Sequence, residues 1–105
     1  MTELQLRPLA ERDLIERTQY YSAEGGPALG ERFFGSAAQT LDTIRDRPEG
    51  GSLRIGELCE IDGLRVRRVP GFPCGWFYFV RADFIDVVRL LGYAQDLPSE
   101  LADLT

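Results

Sequence analysis

Between Glu3 and Arg7 apolar and polar positions alternate, Leu4 and Leu6 against Gln5 and Arg7. A period of two predicts a short strand. Pro8 ends ladder pairing and can open a helix. From Leu9 to Ala23 the period lengthens. Ala10, Leu14, Thr18 and Tyr21 recur at helical spacing, and Ile15 broadens the stripe. Asp13 and Arg17, four apart, fall on the polar side. Glu24-Gly25-Gly26-Pro27 breaks this helix. A second helix is predicted over Ala28 to Arg45, with Leu29, Phe33, Ala37, Leu41 and Ile44 as its apolar stripe. Gly30 and Gly35 inside it each cost about 1 kcal/mol against alanine, which suggests close approach of the first helix. Pro48-Glu49-Gly50-Gly51 is a strong stop. The short break between the helices predicts an antiparallel hairpin.

The second half is strand-like. Ser52–Ile61 is weakly patterned and reads as a loop with one short extended piece. Asp62-Gly63 signals a turn. Leu64–Val69 alternates, Leu64, Val66 and Arg68 against Arg65, Arg67 and Val69. After the loop Gly71–Gly75, Trp76–Arg81 is aromatic and β-branched, a strong strand signal. Ala82-Asp83 turns the chain. Phe84–Leu91 is apolar on both faces except at Asp86 and Arg89, so it is expected to be central and covered. Ser99–Leu104 reads as a last helical turn with Ser99 as cap. The expected fold is α+β: an N-terminal strand, a helical hairpin, then a three-stranded antiparallel meander, with the helices on one sheet face.

At 105 residues the chain is expected to form one domain over 1–105. Its hydrophobic fraction of 44% can supply a thin core, and six Phe, four Tyr and one Trp carry much of it. The net charge of −5 argues against a protein that coats nucleic acid. All 12 basic residues are Arg, and there is no Lys, His or Asn. Without His, imidazole acid–base catalysis and most zinc sites are excluded. Cys59 and Cys74 are too far apart for a Cys-x-x-Cys motif. With no signal-peptide pattern and no membrane-length apolar run, the expectation is a cytoplasmic protein with two reduced thiols. No cofactor or metal is expected. The glycines Gly71, Gly75 and Gly92 lack the context of a phosphate-binding loop.

Several stretches carry a family resemblance. They are Ala10-Glu11-Arg12-Asp13-Leu14 with Tyr20-Tyr21, then Arg47-Pro48-Glu49-Gly50-Gly51, Gly63-Leu64-Arg65-Val66-Arg67 and Gly71-Phe72-Pro73. Phe77-Tyr78, Val88-Arg89-Leu90-Leu91 and Gln95-Asp96-Leu97-Pro98-Ser99 follow. In this order and spacing they resemble the RelE/ParE superfamily of type II toxin–antitoxin toxins, the ParE branch best. The resemblance implies a plasmid-stabilisation toxin paired with a ParD-like antitoxin, with DNA gyrase as target and no catalytic residues. RelE-like toxins are instead ribosome-dependent messenger RNA nucleases. Their strand Arg is replaced here by Phe77, which leaves Arg81, Arg89 and Tyr93 as the only candidates for that chemistry. Gly92 and Gln95 stand where ParE members commonly carry His and Arg, so an attenuated toxin that keeps only antitoxin binding is a further alternative.

Six residues are candidates for binding antitoxin or target. Arg65 and Arg67 share a strand face and can either be solvated or grip an acidic tail bidentately. Arg89 lies in an apolar strand and must be paired. The choices are a structural partner such as Asp86, Glu60 or Asp62, or a contact with antitoxin or target. Trp76, Phe77, Tyr78 and Phe79 are consecutive aromatics, so one alternate pair is expected on an open sheet face as an interface patch. Trp76 and Tyr78 are the candidates taken from that run, and Tyr93 completes the set.

Overall fold

A computed structural model describes residues 2–104, which leaves the two ends of the expected 1–105 domain, Met1 and Thr105, outside the described residues. Strand β1 is Glu3–Leu6. Helices α1 (Pro8–Gly25) and α2 (Pro27–Asp46) follow, each with a proline in its first turn where the missing N–H is harmless. Gly26, at φ 89°, makes the reversal between them. A 3-10 turn at Pro48–Gly50 leads to α3 (Arg54–Leu58). Strands β2 (Arg65–Arg68), β3 (Cys74–Val80) and β4 (Phe84–Gly92) complete the sheet, and α4 (Leu97–Glu100) ends the fold. Among the described residues no helix is long and apolar enough to cross a membrane.

The sheet order is β1-β4-β3-β2. The meander β2-β3-β4 is antiparallel, while β1 lies parallel to β4. The strand Phe84–Leu91, expected to be central, is central. The α1–α2 hairpin covers one face. There Ala10, Phe33, Ala37 and Ile44 pack on Trp76, Tyr78, Ile85, Val87 and Leu90. Burying such side chains stabilises the fold by about 1.5–3 kcal/mol each before chain entropy is counted. A bulge at Phe77/Tyr78 opposite Val87 and Arg89 shifts the register of β4.

The opposite face corrects two expectations. Ser52–Ile61 is no extended loop: α3 forms there, and only Ser52 makes a strand-like bridge, to Val66. The face is not open either. Leu64, Val66, Phe77, Phe79, Val88 and Leu91 are buried beneath Ile55, Cys59 and Ile61 and beneath Leu97, Leu101 and Leu104. Gly56 permits this closeness, because a Cβ there would stand 2.6 Å from the Leu64 carbonyl oxygen. The last helix also starts earlier than expected. Its cap is Asp96, whose carboxylate accepts from the Ser99 amide, so Ser99 is inside the helix.

Candidate functional site

Trp76 and Tyr78 are fully buried under α2 and offer no surface to a partner, contrary to the expectation of an exposed pair. The Trp76 indole donates to the Ala37 carbonyl at 3.0 Å. The Tyr78 hydroxyl donates to the Pro48 carbonyl at 2.6 Å and accepts from the Gly51 amide at 3.0 Å. Tyr78 therefore fastens the 3-10 turn that follows α2. Burial raises its phenol pKa, against the Gly51 amide and the nearby Arg65 and Arg67 charges.

Arg65 and Arg67 do share a face. They stand opposite Tyr78 and Trp76 on β2, at the edge of the sheet and on the α2 side. Arg65 Nη1 donates to the carbonyls of Glu49 (3.0 Å) and Gly51 (2.9 Å). The Arg67 guanidinium lies over Gly50, where a Cβ would stand 2.5 Å from Nη1.

Arg89 is paired, but with none of the partners considered from sequence. Its guanidinium forks onto Asp13 of α1 at 2.7 and 3.0 Å and reaches Glu100 of α4 at 3.2 Å. Only 12% of the Arg89 side chain and 13% of the Asp13 side chain are exposed. Asp13 is thus not on a wet helix face. These carboxylates hold the Arg89 pKa above its ordinary value, the Asp13 hydrogen bond most of all.

Asp86, the other charged residue in β4, is gripped from two sides. Arg7 donates to both of its oxygens at 3.0 and 2.9 Å, and Arg81 donates at 3.2 and 3.0 Å. Burial pushes the Asp86 carboxyl upward, but the hydrogen bonds and charges of Arg7 and Arg81 together outweigh it and hold the pKa low. The Arg81 guanidinium also sits 4.3 Å from the centre of the Phe79 ring.

Tyr93 lies half-buried just past β4, with the Arg68 guanidinium 5.9 Å from its ring centre. Beyond Leu6 the β1 side of β4 has no strand partner among the described residues, and side chains take over from the ladder there. Asp13 accepts the Leu90 amide at 3.0 Å, and Gln95 accepts the Gly92 amide at 2.7 Å. Arg17 steadies Gln95 at 2.8 Å. One oxygen from distant α1 and one from the turn just after β4 thereby satisfy amides that β1 leaves unpaired. From sequence Asp13 was placed on the polar side of the first helix and Gln95 was noted only as a departure from the ParE pattern; neither carries a local signal for holding β4. Asp86 was legible as a lone carboxylate in an apolar strand.

No family model matches the chain, and no curated protein matches it. Among solved structures it is similar to one described as "Chromosomal ParDE TA system from P. aeruginosa", with a TM-score of 0.74. The match covers 88% of this chain and 96% of that chain at 18% sequence identity. The chain shares its fold with that chain of the ParDE system. At that identity the shared property is the fold alone.

Proposed function

We propose that this protein is the toxin of a toxin–antitoxin pair, that it acts by binding DNA gyrase, and that a ParD-like antitoxin silences it. The observation that carries the reading is the near-complete likeness of fold to a ParDE chain. The placement of the alternative's residues supports it. Arg81 precedes β4 and is held on Asp86, Arg89 is held on Asp13 and Glu100, and Tyr93 follows β4. A nine-residue strand separates the first from the last, roughly 30 Å at 3.3 Å per residue. Groups so far apart, with both arginines already paired, do not converge on one phosphate. The mechanism is occupancy of a protein surface, with no covalent step.

The test is induced expression with and without the adjacent small reading frame, followed by supercoiling and translation assays on purified protein. Growth arrest relieved by the neighbour, with supercoiling inhibited and translation intact, is expected. Translation blocked with supercoiling intact would replace gyrase by the ribosome as target. Growth unaffected in both cases would mean that the chain is no active toxin.

A further inference from the structure

Five arginines crowd one edge of this acidic molecule. Arg47 follows α2, Arg54 opens α3, and Arg65, Arg67 and Arg68 lie on β2. Among the described residues none of them has a carboxylate within 4.0 Å, whereas Arg7, Arg12, Arg45, Arg81 and Arg89 are all ion-paired. Arg17 and Arg32 of the helical hairpin are likewise without one among the described residues, so the edge is set apart by number: five of the seven arginines without an ion pair fall on it.

Three of the five are gathered about one turn. Arg65 is locked in place by the Glu49 and Gly51 carbonyls, which occupy a single nitrogen, Nη1. Arg67 lies across Gly50, and a Cβ on Gly50 would be 3.7 Å from the Arg47 Cβ. The turn beneath them is pinned by the Tyr78 hydroxyl. The charges of both Arg65 and Arg67 are felt at that hydroxyl. The pinned turn thus holds the Arg65 and Arg67 guanidiniums about one point with most of their donors free, and the Arg47 side chain starts beside them.

We propose that Arg47, Arg65 and Arg67 form a docking site for a carboxylate-bearing polypeptide segment, the acidic stretch of the protein that silences this chain. The identity of that partner rests on the toxin reading above; the site itself rests on the geometry. Planar guanidinium forks match carboxylates bidentately. A long nucleic acid would meet the repulsion of a molecule carrying −5, whereas a short acidic segment samples only the local field.

The probes are a short fluorescent glutamate-rich peptide, its glutamine counterpart, and a single-stranded RNA of equal charge. Among the described residues neither Arg47 nor Arg67 makes a side-chain hydrogen bond or ion pair, so the double variant R47E/R67E should melt like the parent, and Arg67→Ala serves if it does not. The glutamate peptide should bind, the glutamine peptide should not, and added salt should weaken the complex. The double reversal should loosen it at least about tenfold. Peptide binding unchanged by the reversal, or RNA bound more tightly than the peptide, would overturn the proposal. A growth-arrest and rescue assay separates the two readings. Rescue that survives the double reversal, with antitoxin affinity intact, would remove this site and leave the toxin reading standing. Peptide capture without any growth arrest would do the reverse.

Discussion

Asp13 and Arg89, 76 residues apart in sequence, meet through two hydrogen bonds of 2.7 and 3.0 Å in a nearly dry pocket between α1 and β4. The same carboxylate takes the Leu90 amide. One aspartate therefore both neutralises the central strand's cation and closes its edge. Asp13→Ala should cost about 3 kcal/mol in urea unfolding, because a buried guanidinium and an amide lose their acceptor. The apolar double replacement Asp13→Leu/Arg89→Met should cost less than the single change. A single variant as stable as the parent would contradict the role assigned to this pair.

Acid should find Asp86. Its folded-state pKa lies below the ordinary 3.8, so the group contributes stability that is complete above that value and lost as pH falls through the folded one. Denaturation measured from pH 5 downward should steepen below about pH 4. In Asp86→Asn that limb should be shallower, with lower stability at neutral pH.

The two mid-helix glycines of α2 should respond oppositely to alanine. A Cβ on Gly30 would collide with the Ser22 hydroxyl and stand 3.2 Å from the Thr18 carbonyl oxygen, so Gly30→Ala should destabilise. Gly35 faces nothing within 4 Å, which corrects its reading as a second point of close approach. Gly35→Ala should raise stability by about 0.5–1 kcal/mol through helix propensity alone. Thermal melts of the two variants decide the matter.

The thiols should label in order. Cys74 is buried, and burial lifts its pKa above 9.0 against the pull of Arg17 and Arg68. Cys59 is partly exposed. Mass spectrometry after alkylation at pH 8 should show one adduct on the native protein, at Cys59, and a second only on unfolding. Equal labelling rates would mean that the strand end around Cys74 opens readily.

Local pattern was enough for the order strand, helix, helix and three strands, and for the central place of Phe84–Leu91. Residue periodicity reports which side of an element is apolar, and that is fixed within a few residues. The aromatic run Trp76–Phe79 has no such sidedness, because both of its faces are apolar. Whether one of them met solvent depended on α3 and on the segment Leu97–Leu104, both too short to leave a clear period. Arg89 was legible as a cation needing a partner, but Asp13 was not legible as that partner. The net charge likewise concealed the bare arginine edge, since composition sums charges that folding sorts by place.

The amino-acid string by itself determined the two long helices, the four strands and the lack of Lys and His, because these follow from neighbours along the chain. Only the tertiary structure decided which aromatics are core, which carboxylate answers which guanidinium, and which arginines remain unanswered. Those are pairings between segments brought together by burial, and a one-dimensional pattern holds no distance between them.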